Sequence, residues 1–109
     1  ASTMIVNVRN GSTLASLPPD AVVEVPALVD GAGVRPLSAA PPDLHQAGLM
    51  HQVKAVERLI IEAALNGSRS LATKAFALHP LVDSVTLARD LVAGYEQAIP
   101  EVAAVLRAP

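Results

Sequence analysis

The sequence predicts an α+β fold: short strands and a β-hairpin first, then three or four helices. Three observations carry this. Prolines and glycines punctuate the first forty residues, separating short runs rich in valine. Asp43–Asn66 is a long proline-free stretch with helical periodicity. Beyond it, Ser68 or Ser70, then Asp83 or Ser84, then Pro100 open segments patterned like helices.

Met4–Val8 alternates β-branched residues and reads as a strand, closed by the polar turn Arg9-Asn10-Gly11-Ser12. Because the chain opens almost directly into that strand, it is expected to lack an N-terminal portion. Pro18 and Pro19 stiffen the next turn. Ala21–Val29 is the second strand. Its Pro26 has no ladder donor, so an edge position or a bulge is expected. Asp30-Gly31-Ala32-Gly33 has hairpin chemistry, and Val34–Leu37 returns, giving a hairpin over Val22–Leu37. Two proline-bearing strands make a poor free-standing sheet, so they should complete a larger sheet or lie over helices.

Asp43 supplies an N-cap for the long helix, and Asn66-Gly67 supplies its stop. Leu49, Val53, Val56, Ile60, Ala63 and Ala64 fall on one face, and His51, Lys54, Arg58 and Glu62 form a narrow polar stripe. Met50, Ile61 and Leu65 widen the apolar surface beyond one face, which calls for covering by its own domain, another domain or another subunit. Gly48 is the weak interior position and suits a close helix crossing. A second helix is expected over Arg69–Leu78, capped by Ser68 or Ser70. A third, capped by Asp83 or Ser84, runs to Ala98. A last one covers Glu101–Leu106, and Ala108-Pro109 should fray.

The 109 residues make one domain's worth of chain, 51% hydrophobic but only 2% aromatic, so the core must be aliphatic and alanine-rich. A net charge of −2 argues against nucleic acid as a partner. With no cysteine, disulfides and thiolate metal ligands are excluded, in keeping with the cytoplasm. No membrane span is expected. His45 and His51 are six apart, on different helical faces, and His79 stands at a helix end, so no histidine metal motif forms. No serine has a visible histidine–carboxylate pair, no carboxylate pair suits a glycosidase, and no catalytic residue is assigned. Glu57 sits beside the apolar face, either on its rim or buried in an ion pair with an arginine from elsewhere. Asn7, Arg9 and Asn10 concentrate amides and a guanidinium just past a strand. Their donors suit sugar hydroxyls and phosphates, although a generic turn also explains them.

Three stretches, taken together, resemble the C-terminal region of glycoside hydrolase family 4, in its 6-phospho-β-glucosidase branch. They are IVNVRNGSTLASLPPDAVVEVPALVDGAGVRPL from Ile5, HQVKAVERLIIEAALNGSRSLATKAFALHPLV from His51, and ARDLV from Ala88. Val56 stands where the family has tyrosine, and Ser12-Thr13 where it has alanine and isoleucine. The resemblance implies a fold like the C-terminal domain of lactate dehydrogenase. It implies an enzyme that oxidises the sugar C3 hydroxyl with NAD, removes the C2 proton, expels the aglycone, adds water and then restores the hydride, aided by a divalent metal such as manganese. The nucleotide fingerprint, metal ligands and base are implied upstream, so residues 1–109 form a C-terminal fragment without a nucleotide-binding domain, inactive alone and binding neither cofactor. A homodimer or homotetramer is implied, with a sugar phosphate as substrate and Asn7, Arg9 and Asn10 lining its site. The alternatives are the C-terminal half of a lactate/malate-type 2-hydroxyacid dehydrogenase and a non-enzymatic helical oligomerisation module.

Overall fold

A computed structural model describes residues 1–109 and shows an α+β chain. The strands are β1 (Ser2–Arg9), β2 (Val22–Asp30) and β3 (Gly33–Pro36), and the helices are α1 (Leu44–Asn66), α2 (Arg69–Leu78), α3 (Val85–Ala98) and α4 (Pro100–Val105). Residues 1–47 form one compact unit and residues 48–109 another.

In the first unit β1, β2 and β3 form an antiparallel sheet in that order. Alternation sends Val23, Val25 and Ala27 to a buried face and leaves Val22, Glu24 and Pro26 exposed. The expected hairpin is present. Asp30 accepts from the Ala32 N–H at 2.8 Å and also pairs with Arg35. Pro26 is neither at an edge nor in a bulge, because β2 is the central strand. Its carbonyl accepts from Leu37 N–H at 2.9 Å, so its ring nitrogen also faces β3, at the point where that short strand ends. Against β1 it stands opposite Ile5 in a pair that exchanges no ladder bonds. The proline therefore removes one terminal bond and nothing else. Pro36, opposite Ala27, directs its nitrogen outward from edge strand β3 and removes none.

Helix starts follow local chemistry. Asp43 accepts from Gln46 N–H at 2.8 Å while the Gln46 side chain accepts from Asp43 N–H at 3.3 Å, a reciprocal capping box. Ser68 accepts from Leu71 N–H at 3.2 Å and Ser84 from Leu87 N–H at 3.0 Å. Pro100 opens α4, in its first turn. Gly67 ends α1 at φ +64°.

Half of the buried apolar residues are alanines, as the aromatic-poor composition requires. Ala63, Ala72, Val92 and Leu106 form the centre of the helical unit, with Leu71, Phe76 and Val102 packed against them. The two aromatic rings, Phe76 and Tyr95, meet each other at 5.7 Å. Along α1 only Val56 and Ala63 are buried, while Leu49, Ile60, Ile61 and Leu65 are exposed. Gly48 serves no close crossing, since a Cβ there would meet nothing within 4 Å.

The C-terminal residues do not fray. Ala108 donates to Gly67 O at 2.8 Å and accepts from Arg69 N–H at 2.9 Å, while Ser68 and Ser70 hydroxyls donate to Pro109 O at 3.2 and 3.3 Å. Nearby, Arg69 donates two 2.7 Å hydrogen bonds to Glu96 in a fork. Those bonds hold the Glu96 carboxyl below the usual carboxylate range, against the opposing effect of burial. A depressed folded-state value means that the pair contributes fully above the ordinary glutamate range. Its contribution fades as pH falls through the lowered value. Melting followed from about pH 7 down to about pH 3 is therefore expected to show the difference between the native chain and Glu96→Gln shrinking with acid; a gap that does not change would overturn this.

Candidate functional site

The expected site residues lie at the end of β1, and the strand's period of two divides them. Asn7 and Arg9 share the exposed face with Ile5, opposite Glu24 and Val22 on β2. Two residues along a strand place an amide and a guanidinium about 7 Å apart. Such a pair can span neighbouring oxygens of a phosphate or a sugar.

Asn10 points to the other side, in step with Val6 and Val8, and is only 2% exposed. Its backbone extends the ladder, with N–H donating to Ala21 O at 2.7 Å. Its side-chain Nδ2 donates to the carbonyls of Leu14, Leu17 and Pro18 at 2.9, 3.1 and 3.1 Å, and Oδ1 accepts from Leu14 N–H at 2.8 Å. These bonds occupy the amide within the loop over residues 10–21. Asn10 thus fixes the loop's shape, while Asn7 and Arg9 offer polar groups outward. The alternation that separates position 10 from positions 7 and 9 was present in the sequence. The four backbone groups awaiting its amide were not.

The other candidates separate as well. His45 and His51 are exposed on α1. His79 closes α2, its Nδ1 accepting from Leu81 N–H at 3.1 Å. No group of three or more His, Cys, Asp or Glu is placed to hold a metal ion. Lys54 in the polar stripe pairs with Glu57. The lysine side chain is 16% exposed and the glutamate 51%, which puts Glu57 on the rim of the apolar face. Tyr95 packs on Phe76. No helix is long and apolar enough to cross a membrane.

Two concave regions stand out. One, of about 550 Å³, lies in the first unit between Ser12–Ser16 and Pro36–Pro42 and carries hydroxyls but no charge. The other, of about 500 Å³, lies among the helices and is lined by Val56, Phe76, Tyr95, Leu106 and other apolar side chains, with His79 at its margin. Neither brings together a nucleophile and a base.

The described residues thus make an α+β scaffold of a three-stranded antiparallel sheet and four helices. Residues 1–82 match the family 4 glycosyl hydrolase C-terminal domain. The chain belongs to the family 4 glycosyl hydrolases, and the match is to that family's C-terminal region.

The chain is 43% identical over 88 residues to a 6-phospho-beta-glucosidase of Thermotoga maritima, a stretch covering 81% of this chain and 21% of the relative. It is 33% identical over 102 residues to a maltose-6'-phosphate glucosidase of Bacillus subtilis, covering 90% of this chain and 23% of that protein. The Thermotoga maritima 6-phospho-beta glucosidase solved with manganese, NAD+ and glucose-6-phosphate superposes with a TM-score of 0.79 at 40% identity, over 92% of this chain and 25% of that one. A 6-phospho-alpha-glucosidase from gut microorganisms, in complex with NAD and Mn2+, gives a TM-score of 0.85 at 25% identity, over 93% of this chain and 23% of that one. The chain spans about a fifth of the length of the curated relatives it matches.

Proposed function

We propose that these residues are part of the C-terminal domain of an NAD- and divalent-metal-dependent glycosidase that hydrolyses 6-phosphoglycosides by oxidation and elimination. The observation that carries this is the family match over residues 1–82. The relatives' names share a sugar phosphate while differing in anomer, and the 43% identity to a 6-phospho-beta-glucosidase against 32% to a 6-phospho-alpha-glucosidase favours the β-linked class.

The residues present do not fit the NAD and manganese of the relatives' complexes. They include no metal-holding cluster and no glycine-rich dinucleotide loop. Seats for both groups are assigned to the rest of the polypeptide, and the 109-residue chain alone is expected to be inactive. The role assigned to this segment is to present Asn7 and Arg9 toward the sugar phosphate, with Asn10 holding the adjoining loop. Through the exposed apolar residues of α1 it also contributes to a homodimer or homotetramer. The whole enzyme is placed in the cytoplasm, where phosphorylated sugars are held.

The test uses the full polypeptide carrying this segment, with NAD and Mn2+, on paired chromogenic glucosides with and without a 6-phosphate. Turnover of the phosphorylated substrate alone is expected. Arg9→Met should raise KM by roughly ten- to a hundredfold with kcat kept, the scale of a lost hydrogen bond to a charged group. Equal turnover of both glucosides, or none of either, would overturn the reading. Light scattering on the same sample tests the assembly, and a monomer would remove that part.

A further inference from the structure

The two edges of the sheet are built differently. Strand β3 is short, four residues, and carries Pro36 and the charged Arg35, features that discourage further pairing. Strand β1 is eight residues long and holds an unbroken register from Ser2 opposite Val29 to Arg9 opposite Val22. It has no proline, no lysine and no bulge, and its one charged residue stands at its end. An edge of that length without any blunting device invites pairing.

Ladder parity says which groups are on offer. Asn10 bonds to Ala21, and Pro26 bonds toward β3. So Val6 and Val8 exchange bonds with β2, while Thr3, Ile5, Asn7 and Arg9 turn their N–H and C=O groups to the outer edge. On the apolar face of the strand, Met4 is 47% exposed, short of the cover given to Val23, Val25 and Ala27.

We propose that the outer edge of β1 receives an extended strand from the same polypeptide, outside these 109 residues, making β1 an inner strand of a larger sheet. The inference rests on the reading of this chain as a part of a longer enzyme. It commits to that occupant because the curated relatives are about five times as long, with the matched stretch only 21% of the Thermotoga maritima relative. The incoming segment bonds through its main chain to Thr3, Ile5 and Asn7. It carries apolar side chains on the side of Met4, Val6 and Val8, which continues the face of Val23, Val25 and Ala27.

Residue-resolved amide hydrogen exchange on the full polypeptide tests this, with Met4, Val6 and Val8 as internal references. Amides of Thr3, Ile5 and Asn7 are expected to exchange as slowly as the references, at least about tenfold slower than solvent-facing edge amides. Ile5→Pro deletes one outward donor and no bond to β2, and is expected to speed exchange at Thr3 and Asn7. Fast exchange at the outward amides of the native polypeptide would overturn the proposal. So would protection that vanishes on dilution, because a second copy would then be the occupant. Glycosidase activity read on the same sample separates the two claims. An active enzyme with fast outward amides fails the edge proposal alone, and an inactive one with slow amides fails the function alone.

Discussion

Gly67→Ala is expected to destabilise the helical unit by about 2–4 kcal/mol, a fall in melting midpoint of roughly 10–25 °C. Two causes act together. Gly67 has φ +64°, a conformation that costs an L-residue about 1–2 kcal/mol. A Cβ there would also lie 2.8 Å from the Val105 carbonyl oxygen, a backbone atom with no flexible end to yield. That carbonyl accepts from Arg107 N–H at 3.0 Å, and Gly67 O accepts from Ala108 N–H at 2.8 Å, so the clash pushes directly on the seat of the C-terminal residues. Gly94→Ala is the matched control. It lies within α3, has ordinary φ, and its Cβ would meet nothing within 4 Å. There the same change should stabilise, by up to about 1 kcal/mol, because alanine favours helix more than glycine does. Thermal unfolding of both variants by calorimetry checks the pair, and similar midpoints for the two would sink the account.

Asn10→Ala should be nearly as damaging to the first unit, at about 2–4 kcal/mol. It strips partners from the Leu14 N–H and from the carbonyls of Leu14, Leu17 and Pro18 beside a buried position. Water entering the loop recovers part of that loss. Asn10→Asp keeps the shape and the acceptor for Leu14 N–H, yet aims a carboxylate at three carbonyl oxygens. It is expected to be worse than alanine at neutral pH and to recover in acid, where a protonated carboxyl regains one donor. Calorimetry of the two variants, together with exchange at the Leu14 amide, reads this directly. If both variants keep native stability and lose only affinity for sugar phosphate, Asn10 is a ligand contact and the structural assignment fails.

These two residues mark what sequence can and cannot disclose. Gly67 was legible because helix ends are local: Asp43, Ser68, Ser84 and Gly67 each act within about one turn of their own position. The strand–hairpin–helix order was legible for the same reason, through proline, glycine and period. The consequence of Pro26 was not, because the cost of a missing donor depends on which neighbour the nitrogen faces and where that neighbour stops. The tie between Ala108 and Gly67 was also hidden. Backbone groups make it, and no side-chain pattern announces them. In the candidate site, alternation along β1 already set Asn7 and Arg9 apart from Asn10, whereas the loop carbonyls that occupy the Asn10 amide come together only in the folded chain.

The meeting of Phe76 with Tyr95 has a practical side. They are the only aromatic residues, there is no tryptophan, and both belong to the helical unit. Near-ultraviolet absorption and intrinsic emission therefore come almost wholly from one tyrosine wedged against one phenylalanine. The sheet unit is dark in the near ultraviolet. A melting curve read by tyrosine emission tracks the helical unit alone, a heat-capacity curve tracks both units, and any gap between the two traces measures how independently the halves come apart.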